Sequence, residues 1–335
     1  MDIKIRTRDA GYCNLKLLLV FLVVYGHLIE PWIAENKILE EIYRLIYMVH
    51  MPVFAFLSGL FLKGKENSLR QMKRSFLYYM LLQSAVVLVM KYTKWEAVIW
   101  AKPYWHLWYL LSLTYWAGAA YLWNWLVEHI PQIAHWSIKI LLIAIAVLAA
   151  CLAGCIPEIN RMYSVSRSIV FFPDVLAGLF CPSDIKWSRY RLMGLAAGIA
   201  AAGIYWLYGA EIPHSFLYQA ASYGKLGVEQ GSNMRLICYL IGSCFGIVLL
   251  TWVPQRRFPF SKAGADTMGI YICHAAAVKL IWKMELSAQQ ILNLAPAMAV
   301  MIIWFLFKIF QWNGHIFAIR EKKGQGIQMD LKVRG

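Results

Sequence analysis

Three side chains in one apolar stretch have types and spacing suited to chemistry. The segment Asn14–Trp32, NLKLLLVFLVVYGHLIEPW, carries Lys16, His27 and Glu30. Ionisable groups cost roughly 2.5 kcal/mol or more each at membrane depth, so their presence in a spanning helix points to function. Lys16 and His27 are eleven residues apart, about three helical turns, and therefore share one side. Glu30, three residues beyond His27, lies on that side too. The face presents a cation near one end and an imidazole with a carboxylate near the other. Lipid would not tolerate it, so it must look into the protein. Imidazole titrates near neutrality and serves best there as a general base, for instance removing the proton of an attacking hydroxyl. Glu30 either orients that imidazole or marks the membrane interface.

A second histidine stands in YRLIYMVHMPVFAFLSGLFLKGK. His50 falls near mid-span, two residues before Pro52, which interrupts the backbone ladder and can open a pocket. Ser58 and Gly59 permit back-bonding or close helix packing. His50 is either a satisfied core residue or a catalytic group. His50, Trp108 or Ser58 could donate to an oxyanion.

The elements that must position these groups follow from composition. Of 335 residues, 60% are hydrophobic and only 15% charged, and mean hydropathy is +0.53. Soluble domains carry about 25% charged residues, so this is an all-α polytopic transmembrane bundle. The 15 Trp and 19 Tyr fit aromatic belts at the two interfaces. About ten spans are expected, near 15–33, 41–62, 75–91, 105–126, 138–156, 167–181, 191–208, 235–253, 267–284 and 297–314. The sixth is short and polar at its start and is expected to be a broken or partly buried helix. The seventh contains GLAAGIAAAG, which suits close helix contact. The long connection near 209–234 reads as a loop with a short interfacial piece. The N-terminus lacks a small-residue cleavage site and reads as an uncleaved first span. The whole chain, 1–335, reads as one integral-membrane domain with tails over about 1–14 and 315–335.

Placing both termini in the cytoplasm puts 22 of the 33 Lys and Arg inside, among them Lys4, Arg6, Arg8 and Arg334, against 11 outside, among them Lys94, Arg167 and Arg235. The net charge of +15 is thus explained by topology, with no nucleic-acid partner required. Lys16 then sits at the cytoplasmic mouth and His27 in the outer half. Arg70, Lys73 and Arg74 join Lys16 at that mouth, as a phosphate-binding ring or as a positive-inside anchor. His106, Trp105 and Trp108 fall at the outer edge of the fourth span, where aromatic faces stack on a sugar or form the belt. Arg167, at the outer start of the sixth span, holds an acceptor hydroxyl or phosphate, or anchors to headgroups. His274 reads as structural unless it faces His27. The seven Cys show no C-x-x-C pair, so neither disulfide nor metal is expected. HExxH, GxSxG and P-loop patterns do not occur.

NLKLLLVFLVVYGH followed by YMVHMPVFAFLSGLF resembles the acyltransferase-3 family of integral-membrane O-acyltransferases, especially the branch similar to fucose 4-O-acetylases. That family has Lys or Arg ten intervening residues before a His, as Lys16 and His27 stand here, and an H-M-P-x-F-x-F-x-S-G segment, as in His50–Gly59. HLWYLLSL (His106–Leu113), SRSIVFFP (Ser166–Pro173) and TMGIYICH (Thr267–His274) fit in order. The chain departs from the pattern with Asn14 in place of the usual Asp, Tyr78 near a frequent Pro, and Asp174 where an apolar residue is common. The resemblance implies transfer of an acyl group, usually acetyl, from cytoplasmic acyl-CoA to a hydroxyl of an envelope glycan or glycolipid, with no permanently bound cofactor, in a bacterial cytoplasmic membrane. The competing class is a transporter or flippase for a lipid-linked sugar or small acid.

Overall fold

The computed structural model describes residues 10–93, 100–132, 135–265 and 267–333, with side chains described except in 90–93 and 312–333. Lys4, Arg6, Arg8, Lys94 and Arg334 of the charge pattern lie outside these residues. No strand occurs among the described residues. Among the described residues six helical segments are long and apolar enough to cross a bilayer: 10–32, 37–61, 135–153, 187–211, 231–252 and 288–311. Together they make this an integral membrane protein. Helices also occupy the other four segments expected to span, but none of these meets both the length and the hydropathy of a bilayer-crossing helix. They are the more polar Lys65–Thr93, the aromatic Trp108–Leu126, a broken sixth and the shorter Met268–Trp282.

The chain divides into two units. One is built from 12–43 and 256–335, the other from 44–255 with the residues up to Gly11.

In the first unit, α1 (Ala10–Ile29) runs into a single 3-10 turn, Glu30–Trp32, because Pro31 cannot continue the hydrogen-bond ladder. Asn36 accepts from the amides of Ile38 and Leu39 and so starts α2 (Lys37–Phe61), whose first turns belong here. Asn14 ties α1 to the return segment: its Nδ2 donates to the Arg256 carbonyl at 2.9 Å and its Oδ1 accepts from Ser261 Oγ. An amide can do both, and an ionised Asp cannot. A Cβ on Gly264 would lie 1.8 Å from the Cys13 carbonyl oxygen, so only glycine lets these backbones meet.

In the second unit, α3 (Lys65–Thr93) and α4 (Trp108–Leu126) pack side by side, with Ser75 Oγ 3.0 Å from Thr114 Oγ1. α5 (His135–Ala153) follows, and then the sixth expected span is broken into α6 (Val165–Val170) and α7 (Phe172–Phe180). The break falls at Phe171, and Pro173 restarts the helix in its first turn. α2 and α7 cross at mutual glycines. A Cβ on Gly59 would lie 1.9 Å from the Val175 carbonyl oxygen, and one on Gly178 1.9 Å from that of Phe56. Around this crossing Ala55, Leu62, Trp116, Val175 and Leu176 close an apolar core. α8 (Arg191–Tyr208) packs on α11 (Gly231–Trp252), with Gly194 against Thr251. Between them the expected loop contains two one-turn helices, α9 (His214–Leu217) and α10 (Tyr223–Leu226). α12 (Ser261–Ala265), α13 (Met268–Trp282) and α14 (Ala288–Val333) return to the first unit.

Candidate active site

In the first unit the structure joins His27 of α1 to His274 of α13. His27 Nδ1 lies 3.0 Å from His274 Nε2, and the rings are nearly parallel, 7° apart, with centroids 5.2 Å apart. His274 is fully buried, and its Nδ1 lies 2.7 Å from the Tyr271 carbonyl and 3.2 Å from that of Ile270. Carbonyl oxygens only accept, so that Nδ1 carries the hydrogen and the Nε2 of neutral His274 is bare. The hydrogen between the rings must then come from His27 Nδ1, which leaves the lone pair of His27 on Nε2. Two backbone carbonyls thus fix the tautomers of two imidazoles. Trp282 Nε1 donates to the carbonyls of His27 at 3.1 Å and Leu28 at 3.3 Å, holding the end of α1 in place. Trp32 Nε1 donates to the Leu286 carbonyl at 2.9 Å.

This arrangement can accept a proton at His27 Nε2 and stabilise the resulting imidazolium through Nδ1–H and the bare nitrogen of His274. A carboxylate fills that position in a serine-type triad; here a second imidazole does. The polar face of α1, expected to look into the protein, does so at His27. Lys16 is half-buried on the same helix, about 16 Å away at 1.5 Å per residue. Glu30 opens the 3-10 turn, with its Oε2 shielded from solvent.

The second unit gathers most of the other expected residues. Ser58 back-bonds to the Phe54 carbonyl at 2.7 Å and meets Tyr109 Oη at 2.7 Å. Tyr109 packs edge-on to Trp108, and Trp108 stacks on Phe171 with centroids 5.7 Å apart. The Arg167 guanidinium lies over the Trp108 ring, 4.9 Å from its centroid, and Arg167 Nε donates to the Tyr218 carbonyl at 2.8 Å. Arg167, Trp108, Tyr109 and Ser58 therefore form one chain of contacts. Its geometry comes from a buried serine cluster: Ser112 Oγ lies 2.8 Å from both Ser164 Oγ and Ser168 Oγ, and Trp116 donates to the Ser168 carbonyl. Ser164 and Tyr163 both adopt the left-handed region, φ 58° and 50°, where residues other than glycine are strained.

His50 is buried, with Nδ1 2.6 Å from the Ile46 carbonyl of its own helix and Tyr47 edge-on to its ring. His106 is buried in the turn Trp105–Leu107. Arg70, Lys73 and Arg74 are exposed on α3, with Arg74 over the Tyr78 ring. Among the described residues no His, Cys, Asp and Glu group could hold a metal ion.

Residues 11–310 match the family model described as an acyltransferase domain. The chain belongs to this acyltransferase-3 family. No curated protein and no solved structure matches it. Acyl transfer to a protic nucleophile is helped by a group able to take its proton, and the paired imidazoles of α1 and α13 have the chemistry for it.

Sequence reasoning missed several residues of this acyltransferase. Arg235, expected as an outer cation at a span end, is buried within α11. The signal was available, since an Arg inside MRLICYLIGSC is an intramembrane charge. Tyr109, Tyr218 and Gln219 had no comparable signal, because their roles come from a helix turn and a loop that no periodicity marks.

Proposed function

We propose that this protein is a membrane O-acyltransferase that moves an acyl group, acetyl in the simplest case, from cytoplasmic acyl-CoA to a hydroxyl of a cell-envelope or exported glycan. The observation that carries the reading is the His27–His274 pair, a fixed-tautomer base inside a membrane protein of an acyltransferase family. The acceptor hydroxyl attacks the thioester carbonyl carbon while its proton passes to His27 Nε2. The tetrahedral intermediate collapses by breaking the C–S bond, and the departing thiolate takes the proton back from His27. The ester and free CoA leave, and the base is regenerated without net consumption of protons. His274 holds neutral His27 in the productive tautomer and accepts from its Nδ1–H before and after the proton arrives.

The placement of the reaction follows the charge pattern, with both termini and Lys16 on the cytoplasmic side of a bacterial cytoplasmic membrane. Arg70, Lys73 and Arg74 draw the anionic donor to that side by charge alone. Lys16 contributes to donor affinity, so Lys16→Ala should raise the acyl-CoA concentration needed for half-maximal rate.

The test is transfer of radiolabel from acetyl-CoA in membranes containing the protein. The wild-type chain should consume thioester and label an envelope glycan, and His27→Ala should abolish both while inserting normally. Full transfer by His27→Ala would remove the assigned base. Export of a glycan without any thioester consumption would make the protein a carrier instead.

A further inference from the structure

A second polar centre, outside the imidazole pair, lies within the unit formed by residues 44–255. A partly enclosed cavity of about 20 Å³ is lined by Pro52 of α2, Asp174 of α7, Gln219, and Arg235, Cys238 and Tyr239 of α11. Pro52 has no N–H, so the ladder of α2 opens beside Met48, which also lines the cavity. Arg235 is 2% exposed. Its Nε donates to Tyr223 Oη at 2.7 Å and its Nη1 to Gln219 Oε1, and the guanidinium lies 5.2 Å from the ring centroids of both Phe216 and Tyr223. Gln219 is held at φ 53° to reach it. Four contacts therefore fix the guanidinium, and among the described residues Nη2 has no hydrogen-bond partner.

Across the cavity, Asp174 Oδ2 is shielded from solvent and makes no hydrogen bond within the described residues. A buried, unpartnered carboxylate oxygen costs several kcal/mol at typical desolvation penalties, roughly 1–3 or more. An Arg beside it would ordinarily close the gap with a direct ion pair. None forms here, because Arg235 is anchored towards α10 and Asp174 is fixed by the glycine crossing of α7.

The pair therefore asks for a group that can donate to one side and accept from the other. Volume narrows the choice: about 20 Å³ admits one or two oxygen atoms of water or hydroxyl size. Charge narrows it further, since Arg235 repels an ammonium, and a phosphate would have to give up its water for a small cavity whose other wall is the desolvated Asp174 carboxyl. Aromatic walls at Tyr47, Phe171 and Tyr239 suit the C–H face of a carbon attached to such a hydroxyl.

We propose that this cavity is a binding site for a neutral polyol, whose hydroxyl or hydroxymethyl arm donates to the Asp174 carboxylate and accepts from Arg235 Nη2. Calling the polyol an acyl acceptor rests on the proposed activity; binding itself does not. The two can fail separately, because the test uses no acyl donor. Ligand-observed saturation-transfer NMR is recorded on the full chain in lipid nanodiscs with glycerol as the probe. Glycerol 3-phosphate and 3-amino-1,2-propanediol serve as anionic and cationic analogues of the same size. Glycerol should give a signal above empty nanodiscs, at least threefold stronger than either charged analogue. Asp174→Leu removes the acceptor and Cys238→Phe fills the cavity from another wall; each should cut the glycerol signal at least threefold. If Asp174→Leu fails to fold, Cys238→Phe carries the comparison. The proposal is overturned by a signal no greater than from empty nanodiscs, meaning the cavity takes water only. A glycerol signal unchanged in the folded variants, or matched by a charged analogue, also overturns it.

Discussion

The two units use polar groups in different ways. In the unit of α1, α13 and α14, the described polar chemistry converges on a pair of groups that can exchange a proton. In the unit of α2 to α11, fixed charges and hydroxyls predominate: Arg167 over Trp108, Ser58 with Tyr109, and Arg235 anchored by Gln219 and Tyr223. The contrast is sharpest between two histidines. His50 and His274 both bond Nδ1 to a carbonyl of their own helix, which fixes the same tautomer. Only His274 presents its other nitrogen to a second imidazole. The same local device therefore leaves His50 edge-on to Tyr47 in one place and sets His274 against His27 in the other, the pair to which the proposed function gives the proton. A titratable residue gains a function from what its second atom meets.

The largest effect expected from this contrast is on turnover. His27→Ala should lower kcat for acyl transfer by about 10³-fold, within the usual span for a general base and equivalent to about 4 kcal/mol. KM for acyl-CoA should change little. Arg167→Ala, in the other unit, should raise KM for the acceptor more than it lowers kcat. Steady-state kinetics in membranes check both, and the reverse split would erase the distinction between the units.

His274→Gly should come next, with kcat down about 10- to 100-fold, equivalent to roughly 1.4–2.7 kcal/mol. A merely structural loss would not respond to small molecules. Free imidazole should restore part of the rate in His274→Gly and none in the wild-type chain. Absence of rescue in a variant that still folds would reduce His274 to packing.

A comparable effect on stability should follow from Gly178→Val. Its Cβ would fall on the Phe56 carbonyl oxygen, so α2 and α7 must part. Overpacking of this kind typically costs about 1–3 kcal/mol. Thermal unfolding of the purified protein in detergent should show a lower midpoint. The equivalent change at Gly203, where nothing lies within 4 Å, should be silent.

Sequence patterns resolved the helices well and the site partially. Hydropathy runs marked the six helices long and apolar enough to cross a bilayer, because burial in lipid demands long apolar stretches, and the shortness of the sixth expected segment left it broken or partly buried, of which the structure shows a break at Phe171. The eleven-residue spacing put Lys16 and His27 on one face, since helical periodicity is local. What faces that side is not local. His274 is 247 residues further on, and only the return of α13 brings it to His27. Asn14 shows the same limit. As a departure from the usual Asp it reads as a lost charge partner for Lys16, yet in the fold its amide bonds the Arg256 carbonyl and Ser261 at once. Asp174, a further departure, stood out only as an odd residue until the cavity placed it with Arg235.

The smallest effect tests the aromatic side of the contrast. Ser58 Oγ already satisfies the Phe54 carbonyl, and its second contact is Tyr109 Oη. Ser58→Ala removes both but leaves the Phe54 carbonyl within its helix, so the net loss should be about 0.5–1.5 kcal/mol of stability. If Ser58 served only packing, Ser58→Cys, nearly the same size with a weak donor, would behave like the wild-type chain in both unfolding and transfer. If the Ser58–Tyr109 bond instead orients the Trp108–Arg167 stack, Ser58→Ala and Ser58→Cys should both raise the acceptor KM, and Tyr109→Phe should raise it equally. The double variant Ser58→Ala with Tyr109→Phe should then cost no more than either alone, because the two groups act through one hydrogen bond. Additive losses would show that each residue acts separately, and the chain of contacts from Ser58 to Arg167 would be proximity without coupling.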